Sequence, residues 1–200
     1  PGPARPQRKT LLELSVGDEV GPADRRYRLE RYVAQGGMGA VWKATDLAAV
    51  RHHTQSGRQA PSVALKLLPA ELQNVERHKQ KLIEEADNAR MLGHPNIVRV
   101  HGWRECAVTG LPFIEMEYLE STAEAGGDLD KILQREGQPG LSYPRVIELL
   151  TPVAQALDYA WNEHQLAHRD IKPGNVFVTA DGKVKLLDFG IAARARSTAS

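Results

Sequence analysis

The sequence predicts an α+β fold in two lobes, the first mostly sheet and the second mostly helix. Three observations carry that reading. Between Tyr27 and Glu120 the apolar residues recur mainly at strand spacing, interrupted by glycine and proline turns. One stretch of that half, from about Val75 to Leu92, lacks Gly and Pro and keeps a helical period. Beyond about residue 121 the pattern becomes helical, with "VIELLTPVAQALDYAW" its longest apolar-faced run.

Taken in order, "PGPARPQRKT" is rich in Pro and Arg without an apolar period, and residues 1–24 read as a flexible lead-in. "YRLERYVAQ" and "AVWKATD" are two strands joined by the turn "GGMG", which together make a hairpin. "LAAVRHHTQSGRQAPS" is polar, contains Gly57 and Pro61, and reads as a loop. "VALKLL" is a third strand, the helix at 75–92 follows, and "GHPNIVRVHGWRE" and "PFIEMEYLE" supply two more strands. "EAGGDLDKILQ" starts a short helix, and Ser142 with Pro144 starts the long one. Pro152 should kink that helix, or restart it with Thr151 as its cap. "NVFVTADGKVKLLD" is a hairpin turned by Asp181 and Gly182.

Composition narrows the function classes. The 26 Lys and Arg against 25 Asp and Glu leave a net charge of +1, so no overall field argues for nucleic acid or an anionic membrane. Cys106 is the single cysteine, and no Cys or His falls at zinc-ligand spacing although His52 and His53 are adjacent; any metal must use oxygen ligands. No apolar run approaches the roughly 20 residues of a membrane span, so no membrane anchor is expected in this chain and a reducing cytoplasm is the expected setting.

Several residues are out of place unless they do chemistry. In "AQGGMGAVWKA" three glycines in four positions let the backbone approach an anionic group and offer its N–H donors, although a plain mobile turn has the same composition. Lys66 interrupts "VALKLL", where alternation sets Ala64 and Lys66 on one face and Leu65 and Leu67 on the other. Such a lysine either snorkels to water or meets an anion. At about 100° per residue, Leu82, Ala86, Ala89 and Leu92 share an arc that includes Glu85 and excludes Glu84, which makes Glu85 the inward carboxylate and a partner for Lys66. In "HRDIKPGN", Asp170 is followed by Lys172 and Asn175, and "LLDFG" adds Asp188 after one hairpin. A carboxylate to accept a hydroxyl proton, a cation, and oxygen ligands for Mg²⁺ are the parts phosphoryl transfer needs. His168 is read as packing and hydrogen-bonding inside its loop.

The ordered set of glycine hairpin, "VALK", helix glutamate, "HRDIKPGN" and "DFG" resembles the eukaryotic-type (Hanks-type) protein kinases, in particular the bacterial serine/threonine branch, over Tyr27 to about Arg196. The resemblance implies a protein-kinase-like fold over residues 25–200, with a small lobe to about 117, a hinge at about 117–120 and the start of a large lobe at 121–200. It assigns ATP and Mg²⁺ as cofactors and Ser/Thr-bearing proteins as substrates, admits a homodimer for autophosphorylation, and gives no role to nucleic acid. Lys66 would hold the α- and β-phosphates with Glu85 as its partner. Asp170 would be the catalytic carboxylate, Lys172 the γ-phosphate contact, and Asn175 with Asp188 the metal ligands. Ala34, Gln35, Gly36, Gly37, Met38 and Gly39 would cover the phosphates. Val41, Ala64 and Phe177 would sandwich adenine, Met116 would be the gatekeeper, and the backbones of Glu117 and Leu119 would contact the base.

Two departures from the family pattern stand out. Ala34 occupies the place of the first loop glycine, which implies a modest loss of nucleotide affinity. The sequence also stops ten residues after Gly190, with no "APE" segment, so the chain is expected to be a fragment of a longer kinase, with the apolar face of the long helix left bare. Ser197, Thr198 and Ser200 would fall in the activation segment, where a phosphate could pair with Arg169. The rivals are a non-catalytic nucleotide-binding scaffold, against which Lys66, Asp170 and Asp188 all speak, and a small-molecule phosphotransferase, against which Lys172 and Phe189 speak.

Overall fold

The computed structural model describes residues 13–36, 39–54, 60–67, 76–107, 110, 112–122, 125–137, 140–189 and 193–194, with the backbone alone at residues 36, 51–54, 76–79, 81–82, 85 and 193–194. Two compact units result, one of Pro1–Ile83 and His101–Tyr118, the other of Glu84–Val100 and Leu119–Ser200.

The first unit is built on an antiparallel sheet. Its strands are β1 (Glu19–Val20), β2 (Tyr27–Gly36), β3 (Gly39–Asp46), β4 (Ser62–Leu67), β5 (Val100–Glu105) and β6 (Pro112–Glu117), in the spatial order β1-β2-β3-β4-β6-β5. The register places Trp42, Leu65 and Glu115 in one row, and Lys43, Ala64 and Met116 in the next. Alternate rows therefore present two faces. The back face carries the core: Leu29, Trp42, Ala44, Val63, Leu65, Leu67 and Phe113 are buried, with the Tyr27 ring edge-on to Phe113 at 5.7 Å.

Three expectations for this unit need correcting. Residues 1–24 are not all lead-in, because Leu14 and Val20 join the back-face core and β1 pairs with β2. Gly17 N–H donates to the Leu29 carbonyl at 2.8 Å, which fixes the segment on the sheet. The presumed loop after β3 opens with helix α1 (Leu47–Thr54). Asp46 caps it, its Oδ1 accepting from the N–H groups of Ala48 at 2.9 Å and Ala49 at 3.3 Å. The third concerns residues 84–100, expected in the first lobe, which cluster with the second unit. Their backbone explains why: Val98 N–H donates to the Leu186 carbonyl at 3.0 Å, and Leu186 N–H to the Asn96 carbonyl at 2.8 Å.

The second unit is mainly helical. Helix α2 (Glu76–Met91) runs into it, followed by β7 (Gly127–Asp128), α3 (Leu129–Glu136), α4 (Tyr143–His164), β8 (Leu166–Ala167), the 3-10 turn Pro173–Asn175, β9 (Val176–Val178), β10 (Val184–Leu186) and β11 (Ala193–Arg194). The expected hairpin is present, with Val178 opposite Val184. Asp128 caps α3 by accepting from the Lys131 N–H at 3.0 Å. Ser142 stands at the N-cap of α4 but its hydroxyl makes no capping bond.

Pro152 neither breaks nor restarts α4, so Thr151 is not a cap. Its hydroxyl instead donates to the Ile147 carbonyl at 2.7 Å, a bond made inside a continuing helix. One side of α4 buries Leu149, Val153, Ala156 and Ala160, and that packing offsets the backbone bond the proline removes. The other side leaves Ile147, Leu150 and Trp161 exposed. No helix among the described residues is long and apolar enough to cross a membrane.

Candidate active site

In the first unit, Ala34, Val41, Ala64, Lys66 and Met116 fall on rows of the sheet's front face. Ala34 pairs with Val41, Val41 with Lys66, and Lys66 with Ile114, while Ala64 pairs with Met116. Lys66 is 8% exposed and Ala64 6%, so the amine is carried by a buried strand with Leu65 and Leu67 turned to the opposite, core face. Gln35 and Gly36 close the hairpin against Ala40 and Gly39, and the Gln35 carboxamide oxygen accepts from the Tyr32 hydroxyl at 3.0 Å. Gly39 has φ +117°, a conformation that side chains with a Cβ rarely adopt. Gly37 and Met38 lie outside the described residues. Glu117 ends β6 opposite Val63.

The helix face predicted for α2 is partly visible. Ala86, Ala89 and Leu92 are buried and Glu84 is exposed, while the side chain of Glu85 lies outside the described set.

In the second unit, the loop 168–175 is organised from its histidine outward. His168 is 3% exposed, edge-on to the Phe189 ring at 4.6 Å. Its Nε2 lies 2.7 Å from the Leu187 carbonyl oxygen, and its Nδ1 accepts from the Asp170 N–H at 3.2 Å. Only the neutral tautomer protonated at Nε2 satisfies both bonds. Burial pushes its pKa below the ordinary imidazole value, against the opposing pull of the Leu187 carbonyl. The backbone around it is turned sharply: Arg169 has φ +66° and Asp188 φ +51°.

That scaffold holds a polar cluster. Asp170 Oδ2 accepts from Lys172 Nζ at 2.7 Å and from Asn175 Nδ2 at 2.9 Å, and Asn175 Nδ2 also reaches the Asp170 carbonyl at 2.7 Å. The bond from Lys172 holds the Asp170 carboxyl below the usual carboxylate range, and the same bond raises Lys172. Asn175 is 5% exposed and its carbonyl accepts from the Leu187 N–H at 2.8 Å, which brings the residue before Asp188 against the loop. Phe177 lies on β9 opposite Lys185 and Asp128, and Leu119 begins the second segment of this unit.

The donor set fits a hard cation. With Nδ2 of Asn175 turned to Asp170, its Oδ1 faces away from that bond, and Asp188 follows Leu187, whose N–H is bonded to the Asn175 carbonyl. Among the described residues no three His, Cys, Asp or Glu side chains gather into a cage.

One residue here had no sequence signal singled out. Asp130, in the first turn of α3, puts Oδ2 2.9 Å from where a Cβ at Gly174 would lie, and its charge adds to the field that raises Lys172. A second acid in "DLDKIL", one place beyond the cap, is what the sequence offered.

Comparison with known proteins places the chain in a family. The protein kinase domain family matches residues 27–200. The serine/threonine-protein kinase PknA of Mycobacterium tuberculosis is 37% identical over 167 residues, covering 84% of this chain and 35% of that protein. The serine/threonine-protein kinase PknH of Mycobacterium bovis is 37% identical over 177 residues, covering 88% of this chain and 26% of the relative. The chain thus spans about a third of these curated relatives or less. Among solved structures, the PknI kinase domain of Mycobacterium tuberculosis superposes with a TM-score of 0.70 at 28% identity, over 90% of this chain and 62% of that one. The chain belongs to the protein kinase domain family.

Proposed function

We propose that this chain carries the phosphoryl-transfer site of a serine/threonine protein kinase that moves the γ-phosphate of ATP to Ser or Thr hydroxyls of proteins. The observation that supports it most is the Lys172–Asp170–Asn175 cluster, held by a neutral buried His168. Asp170 Oδ2 is occupied by two donors, which leaves Oδ1 to orient the incoming hydroxyl and take its proton. A carboxylate held below its usual pKa stays ionised at neutral pH and acts chiefly by orientation. Lys172, one bond away, offsets negative charge on the phosphate as it transfers.

Lys66 takes the α- and β-phosphates with Glu85 as its partner, and Ala34 to Gly39 cover them. Val41, Ala64, Met116 and Phe177 enclose the base, while the backbones of Glu117 and Leu119 bond its edge. Asn175 and Asp188 hold the metal, which when bound neutralises phosphate charge. The cytoplasm is where this chemistry finds Mg²⁺ and ATP, and a homodimer for autophosphorylation belongs to the same reading.

The test is Asp170→Asn in the full-length protein. Phosphorylation of protein substrate should fall by about two to four orders of magnitude while ATP binding is kept. Undiminished transfer would remove Asp170 from the role.

A further inference from the structure

Arg31 and Lys43 are register partners on β2 and β3, on the row that continues through Ala64 to Met116. An irregularity in the β2–β3 register between Leu29 and Arg31 is what sets Arg31 opposite Lys43. Two cations directly opposed on neighbouring strands repel, so the pair needs a compensating group. Tyr118 supplies one. Two residues beyond Met116, alternation turns it to the same face; its hydroxyl accepts from Arg31 Nη2, and Lys43 Nζ stands over its ring, 4.7 Å from the centroid. Glu30 adds a weak ion pair to Lys43 at 4.0 Å. One ring thus takes a guanidinium at its hydroxyl and an ammonium on its face.

We propose that Arg31 and Lys43 are positioning residues that hold the Tyr118 ring as a fixed wall beside Ala64 and Met116, where it contacts the purine and ribose of the nucleotide. The inference rests on the nucleotide reading given above and goes beyond it, because it names what orders the wall. A ring already held at its hydroxyl and on one face loses little rotamer freedom when the base arrives, so the clamp acts on affinity for the base and sugar. Lys66 lies on the next row of the same face, opposite Val41, so the phosphates it takes are served by a separate group.

The experiment is calorimetric titration of the chain with ATP, with adenosine and with inorganic triphosphate, each in Mg²⁺ buffer. Arg31→Met and Lys43→Met should each weaken ATP and adenosine by roughly two- to fivefold, the worth of an exposed cation on an aromatic ring, and leave triphosphate unchanged. Lys43→Arg should restore wild-type affinity, and the Arg31→Met, Lys43→Met pair should lose no more than Tyr118→Leu alone. Unchanged adenosine affinity in both single variants, or an equal loss for triphosphate, overturns the proposal. If ATP binding disappears in Lys66→Met yet ignores the clamp variants, the clamp alone is wrong; if the wild-type chain binds neither ATP nor triphosphate, the nucleotide reading fails and takes the clamp with it.

Discussion

His168 Nε2 lies 2.7 Å from the carbonyl oxygen of Leu187, so the loop that carries Asp170 is tied to the backbone immediately before Asp188. Two acidic residues eighteen positions apart are thereby referred to one buried imidazole. His168→Phe should keep the packing on Phe189 but leave the Leu187 carbonyl and the Asp170 N–H unpaired, at a cost of about 2–4 kcal/mol in unfolding free energy. Because burial lowers the pKa of His168, the unfolded state binds the proton more readily. Wild-type stability should therefore fall as pH drops below the ordinary imidazole value of 6.5, and that part of the slope should be missing in His168→Phe. Chemical denaturation at a series of pH values reads both effects.

Glu115 tests the first unit. It is 1% exposed, and its carboxylate accepts from the Tyr27 hydroxyl at 2.7 Å, Arg25 at 3.2 Å and Arg104 at 3.3 Å, with His101 Nδ1 at 3.4 Å. Burial alone would raise its pKa, but the bonds from His101 and Tyr27 and the charge of Arg25 outweigh that and hold it at about 2. The folded pKa is depressed, so this stabilisation is present above about 4.5 and is lost as pH falls toward about 2. Glu115→Gln should be less stable at neutral pH by on the order of a few kcal/mol, and should flatten the acid limb of the stability profile.

Two glycines of the second unit should differ in what alanine costs them. At Gly126, φ is +79° and a Cβ would lie 2.6 Å from the Val178 carbonyl oxygen, a backbone atom that pairing holds in place. Gly126→Ala should cost about 2–4 kcal/mol. At Gly174 the obstacle is Asp130 Oδ2 at 2.9 Å, the free end of an exposed side chain. Gly174→Ala should cost less than about 1 kcal/mol, and Asp130→Ala should cancel that cost in the double variant. Thermal unfolding of the four proteins distinguishes the cases.

Lys172 sets the ionisation of Asp170. In Lys172→Met the carboxyl loses its strongest donor and its pKa moves back up toward 3.8. The acid limb of the pH–rate profile of the full-length enzyme should shift upward with it, while turnover on the neutral plateau falls by about two to three orders of magnitude. An unshifted acid limb would show that Asp170 is not the group whose ionisation limits the rate.

Where a local bond or turn lies within a short run, the sequence pattern matched the local structure. "HRDIKPGN" closes its own loop through bonds between residues two to five places apart, and the Asp181–Gly182 turn fixes its hairpin. Strand alternation also separated Ala64 and Lys66 from Leu65 and Leu67, because a two-residue period leaves no other choice of faces. Where a distant partner decides, local pattern failed. Helix α1 depends on Asp46, a carboxylate whose other oxygen is held by Arg25 at 2.6 Å. Leu14 and Val20 read as part of a flexible lead-in until the back face of the sheet is there to receive them.

The sequence by itself determined the order of the motifs, the faces of β4 and the set of polar residues in the 168–175 loop on which the phosphoryl-transfer proposal draws, since these follow from spacing and side-chain chemistry within a few residues. Only the tertiary structure decided that residues 84–100 group with the second unit, that α4 passes through Pro152, and that Arg31, Lys43 and Tyr118 meet. Each of those outcomes turns on burial or pairing between segments far apart in the chain, and the free energy of such contacts is written in no single stretch of it.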